Sequence, residues 1–245
     1  GDPATPGVQE TVEHLAGEMD TGFLVGGLAS SRSDAPVVAN GVATGGVSGV
    51  VFSDRVGVVT RLSQGCTPIG PVRRVDESRD NVMLRIDARP ALEAFKGDIG
   101  EVLSREIEKV GGYIFAALPI TGSDTADYLV RNLVGFDPDS GALAIGDVVE
   151  PGQSVMFCRR DGNSAREDLV RMLGELRKGL GGREPRGGVY VSCLGRGEGL
   201  FGPDSAELGL IREHLGDFPL VGFYANGEIS RDRLYGYTGV LTLFT

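Results

Sequence analysis

Glycine clusters at the ends of the apolar runs of this sequence, and that habit limits what the chain can fold into. Of 245 residues, 39 are glycine, against a usual share of roughly 7%. They follow no fixed period, which excludes a collagen-like helix. Glycine at such places serves tight turns and close approach of one backbone to another.

The apolar runs between these breaks give the elements. Residues 9–17 read as a short helix and 23–27 as a short buried strand. Runs 47–52 and 56–62, joined by Ser53-Asp54-Arg55, predict a hairpin. A second hairpin is predicted over 72–75 and 82–86. Pro90 opens a helix broken at Gly97, and a second helix runs over 99–110 with Ile99, Val102, Leu103 and Ile107 on one face. Strands follow at 113–118, 128–136 and 142–145, the last two flanking the turn Asp137-Pro138-Asp139-Ser140-Gly141. After a strand at 154–159, Ser164 and Glu167 form a capping box before a helix to Leu180. Its apolar positions are Ala165, Leu169, Met172, Leu173 and Leu176. The remaining order is strand 189–193, helix from Pro203–Ser205 to Leu215, and strands 220–224 and 238–244. Crossovers of the βαβ kind mixed with hairpins predict an α/β (mixed α+β) protein with parallel and antiparallel sheets. The order helix, strand, loop, strand at both ends (His14 to Val51, His214 to Leu241) adds the expectation of an internal duplication.

Charge and cysteine narrow the function. A net charge of −10 repels phosphate backbones and anionic membrane, so nucleic acid is not an expected partner. The pairs Arg73–Arg74 and Arg159–Arg160 read as solvated faces. Three separated cysteines (Cys66, Cys158, Cys193) match neither a disulfide framework nor a zinc motif and fit a reducing, cytoplasmic compartment. No apolar run reaches the 18 or so residues that span a membrane, and Gly1-Asp2-Pro3 opens without the basic and apolar regions of a signal peptide. No metal and no cofactor are expected.

Chemistry is expected where βα strands end. Cys193-Leu194-Gly195-Arg196-Gly197-Glu198-Gly199-Leu200-Phe201-Gly202 lies between a buried strand and a helix N-terminus, the edge at which open α/β sheets hold ligands. Asn226, Gly227 and Glu228 leave the next strand at the same edge, offering an amide and a carboxylate for a ligand amine. The loops after Gly27 and Leu118 are candidates to join them. The glycine spacing fails the dinucleotide fingerprint, since Leu200 stands where a glycine is required. Cys193 and Cys66 are candidate nucleophiles, but neither histidine is placed beside them.

Taken together, Gln64-Gly65-Cys66-Thr67-Pro68-Ile69-Gly70, Arg89-Pro90-Ala91-Leu92, Gly146-Asp147, Gly195-Arg196-Gly197, Leu200-Phe201-Gly202, Leu220-Val221-Gly222-Phe223 and Gly227-Glu228-Ile229 resemble the FIST family. The resemblance implies residues 1–62 as the end of a FIST N-terminal domain and 63–245 as a FIST C-terminal domain. It further implies a sensory module of signal transduction that binds a small polar metabolite, with amino acids suggested as ligands. The expected ligand residues are Cys193, Gly195, Arg196, Gly197, Phe201, Asn226, Gly227, Glu228 and Cys66. A signalling protein, or a missing N-terminal part, is the expected partner. A cysteine enzyme and a ligand-free adaptor remain the alternatives.

Overall fold

The computed structural model describes the chain except Gly22, Arg32 and 121–127, together with the side chain of Val102. The polar loop after Leu118 thus falls mostly outside the described residues. Contacts divide the chain into two compact units, Gly1–Gly65 with Gly162–Thr245, and Cys66–Asp161.

The first unit opens with α1 (Val8–Gly17), β1 (Val25–Gly27), the small ribbon β2 (Val37–Val38) and β3 (Val42–Ala43), and β4 (Val58–Gln64). The expected hairpin at 47–62 forms only in part. Its turn is present, with Val56 N–H donating to Ser53 C=O. Residues 47–52 form no strand, and β4 finds its partner at the far end of the chain instead. A β-rich run without a ladder partner has no reason to stay extended, and Val50, Val51 and Phe52 remain exposed.

The second unit holds β5 (Cys66–Pro68), β6 (Arg73–Arg79), β7 (Val82–Ile86), β8 (Arg89–Pro90), α2 (Ala91–Ser104), β9 (Ile114–Pro119), β10 (Tyr128–Asp137), β11 (Ala142–Ile145) and β12 (Ser154–Arg160). Its strands run in the order β11-β10-β9-β12-β6-β7, and β7 pairs back to β11. The sheet therefore closes on itself as an antiparallel barrel, which leaves no edge along that circuit. Helix α2 buries Ala91, Leu92, Ala94, Phe95 and Ile99 against Val75, Met83, Leu143 and Val155. Phe95 meets Phe157 edge to face at 4.8 Å, a geometry the ring quadrupoles favour. The helix runs through Gly97 and breaks at Gly100, whose φ of 79° is outside the helical region and open to glycine without strain. The second predicted helix shrinks to the remainder of α2 and a 3₁₀ turn, Ile107–Lys109.

The chain then returns to the first unit with α3 (Gly162–Leu180), β13 (Gly187–Cys193), the single turn α4 (Glu198–Phe201), α5 (Ala206–Leu215), β14 (Leu220–Ala225), β15 (Glu228–Ser230), β16 (Arg233–Tyr235) and β17 (Thr238–Phe244). The sheet order is β14-β13-β17-β4, with β13 and β14 parallel and the other pairs antiparallel. Helix α3 starts at Gly162, two residues ahead of the expected cap. All its expected apolar positions are buried, and with Ile211 and Leu215 of α5 they cover Tyr190, Leu241 and Leu243 of the sheet. A separate three-stranded sheet, β1-β15-β16, packs Leu28 and Ile229 on Val12 of α1. The strands that the expected duplication matches differ in length and pairing. β1 is three residues long and antiparallel to β15, whereas β14 is six residues long and parallel to β13.

Candidate functional site

The parallel pairing of β13 and β14 brings two chain exits to one edge. Cys193 lies opposite Ala225, so the glycine turn and the segment Asn226–Gly227 leave side by side. Leu194 N–H donates to Ala225 C=O at 2.9 Å, and Arg196 N–H to Cys193 C=O at 2.9 Å. The loop after Gly27 joins them, since Leu28 exchanges backbone hydrogen bonds of 2.9 Å with Asn226 and Gly227.

The glycines of the turn admit side chains of the chain itself. A Cβ on Gly195 would stand 3.2 Å from the Tyr237 ring, and one on Gly197 would stand 2.8 Å from the Tyr224 hydroxyl. Gly197 also takes a φ of 63°. Tyr237, a bulky residue at φ 64°, holds an uncommon left-handed conformation to lay its ring there.

Arg196 points inward. Its side chain is fully buried, with Nε donating to Glu207 Oε1 at 2.8 Å and Nη2 to Ser63 Oγ at 2.9 Å. The guanidinium lies over the Phe201 ring, 4.8 Å from its centroid. Glu207 also accepts from Tyr190 Oη at 2.6 Å and from Ser192 Oγ. The cluster is a satisfied internal ion pair, which fixes the turn from below. Sequence spacing gave no sign of Glu207 or Ser63, because neither lies near Arg196 in a motif; a charged residue on the inner face of α5 was the available signal.

Glu228 is different. It sits on β15 opposite Gly27 and Tyr235 and has no solvent exposure. Oε2 accepts from Thr238 Oγ1 at 2.8 Å and from Thr238 N–H at 3.2 Å. Oε1 accepts no hydrogen bond of ordinary geometry among the described residues. The carboxyl also feels the charge of Arg196 and has beside it the Cys193 thiol, a weak donor. Burial pushes the Glu228 carboxyl up to about 7, with the Thr238 bonds pulling the other way. Burial and then the Glu228 carboxylate push the Cys193 thiol up to about 11, against N–H groups of Gly195 and Tyr237 that favour the thiolate. That is the reverse of an activated nucleophile. His14 is on α1, and His214, on α5, directs Nδ1 at Leu210 C=O.

Cys66 belongs to the other unit. It is buried on β5, which pairs with β12, and its thiol raises that of Cys158 through a hydrogen bond. Among the described residues no group of three His, Cys, Asp or Glu side chains is placed to hold a metal ion. No described helix is long and apolar enough to cross a membrane.

The sequence matches the FIST N domain over residues 1–89 and the FIST C domain over residues 91–231. The chain belongs to the FIST family. FIST domains are linked to sensing in signal transduction. An uncharacterized protein of Mycobacterium tuberculosis (strain H37Rv) is 34% identical over 248 residues, a match covering 95% of this chain and 63% of that protein. An uncharacterized protein of Mycobacterium bovis is 32% identical over 258 residues, covering 99% of this chain and 66% of the relative. The chain thus spans just under two thirds of the length of these relatives.

Proposed function

We propose that this FIST chain is the ligand-binding part of a cytoplasmic signal-transduction sensor and takes a small polar metabolite at the edge where β13 and β14 end. Cys193, Gly195, Asn226 and Gly227 form the wall that the ligand approaches, Gly197 and Glu228 are buried directly behind it, and Arg196 and Phe201 hold the turn from beneath. One observation carries the reading: a fully buried carboxyl, Glu228, whose Oε1 accepts no hydrogen bond of ordinary geometry and has only the weak thiol donor of Cys193 beside it. A buried acceptor left unmade costs about 1–3 kcal/mol. A ligand amine reaching Oε1 removes that cost and adds a charge-assisted bond. Amines, amino acids among them, are therefore the ligand class to screen. A signalling protein that reads the bound state is the partner this role requires.

The test is thermal unfolding against a panel of small amines and amino acids. A ligand at a hundred times its Kd stabilises the folded state by about 2.7 kcal/mol, which for a chain of this size is a rise of roughly 5–10 °C. Glu228→Gln abolishes the rise and Asn226→Ala weakens it. A panel without any shift, or a shift indifferent to Glu228→Gln, refutes the assignment.

A further inference from the structure

Strand β14 is an edge left open. Among the described residues it pairs with β13 alone. Pro219 and Ala225 direct their carbonyls at β13, accepting from Gly188 and Leu194 at 2.8 and 2.9 Å. Strand alternation therefore turns the backbone groups of Leu220, Gly222 and Tyr224 outward. The segment Leu220-Val221-Gly222-Phe223-Tyr224-Ala225 carries no charge and no proline, the devices by which edge strands are normally protected. On the sheet face away from the helices, Val221 is 68% exposed and Phe223 47%. On the helix face, a hollow of about 290 Å³ runs beside α5, lined by Leu208, Ile211, Phe218 and Leu220 together with the charged Asp204, Arg212 and Asp217. The outer face beyond β14 is thus apolar and the helix-side hollow mixed, and the line between them offers unpaired backbone donors and acceptors. That combination fits one kind of occupant, an extended strand that sets apolar side chains on the Val221–Phe223 surface and alternate ones, apolar or polar, in the hollow.

We infer that β14 receives an additional strand from the polypeptide that FIST relatives carry outside the matched region. The source follows from length. The relatives are matched over only 63% and 66% of their chains, so each holds a stretch large enough to supply a strand with its own supporting elements. A second copy of this chain is the poorer candidate, because its net charge of −10 opposes self-association. The inference is independent of the proposed ligand site.

Amide hydrogen exchange read residue by residue tests it. In this chain alone, the outward amides of Gly222 and Tyr224 exchange roughly tenfold or more faster than the inward amides of Val221 and Phe223. Sedimentation gives a monomer. In the full-length M. tuberculosis relative, the aligned strand loses this alternation, because both sets of amides are bonded. The alternation within one strand is its own control for overall stability. Persistence of alternation in the full-length relative overturns the inference. So does a concentration-dependent dimer of this chain that protects Gly222 and Tyr224, which would make a second copy the occupant.

Discussion

Glu228→Gln isolates the energetic consequence of a buried carboxyl. In the folded chain the Glu228 carboxyl titrates near 7, against 4.5 for an unburied glutamate. At about 1.4 kcal/mol for each tenfold change, the difference corresponds to roughly 3 kcal/mol. Its sign follows from proton linkage. Below pH 4.5 the folded and unfolded chains both hold the proton, and the group contributes nothing. Between 4.5 and 7 the unfolded chain has released its proton while the folded chain retains it, so stability falls as pH rises. Above 7 the loss is complete. The wild-type chain therefore gives up roughly 3 kcal/mol between pH 4 and pH 8 on account of this residue alone. A glutamine keeps the acceptor for Thr238 and cannot ionise. The variant should match wild type near pH 4.5 and exceed it by roughly 2–3 kcal/mol at pH 8. Urea unfolding followed by far-UV circular dichroism is the suitable assay, because the chain has no tryptophan to report by fluorescence. A variant that keeps the full wild-type pH slope would refute the argument, since the slope would then belong to other groups. Thr238→Val, which removes the Oγ1 donor to Oε2, should carry the loss of stability to higher pH and enlarge its total.

Two further outcomes follow. Arg196→Met strands the Glu207 carboxylate in a buried site and should cost about 3–5 kcal/mol, with Arg196→Met/Glu207→Gln recovering part of it; thermal unfolding that moves by less than about 2 °C would exclude the buried ion pair as an anchor of the turn. Cys193, pushed up to about 11, should react with iodoacetamide at pH 8.5 roughly a hundredfold more slowly than a free thiol, and faster in Glu228→Gln; a rate equal to that of a free thiol contradicts the described environment.

The elements that were legible in the sequence are those fixed by local pattern. Helix α3 declared itself through Ala165, Leu169, Met172, Leu173 and Leu176, all of which are buried. The hairpin of β6 and β7 was legible as a hairpin, though β6 runs on to Arg79 and the turn tightens to Asp80–Asn81, and the turn between β10 and β11 was legible because aspartate, proline and glycine set its dihedrals within a few residues. The exit of two loops at one sheet edge was also legible, since a βαβ crossover dictates it.

What the sequence hid was everything set by partners far along the chain. The barrel closes through β7 and β11, more than fifty residues apart, and β4 pairs with β17 from the opposite end of the sequence. The run 47–52 had the composition of a strand and no partner, so composition misled. At the candidate site, residue types were visible but their environments were not. Arg196 reads in sequence as a ligand contact and in space as half of an internal ion pair. Glu228 reads as a loop carboxylate and proves to be a strand residue cut off from water. A sequence states which groups are present and where the chain turns. The tertiary structure alone decides which groups lose their water, and desolvation is what changes their chemistry.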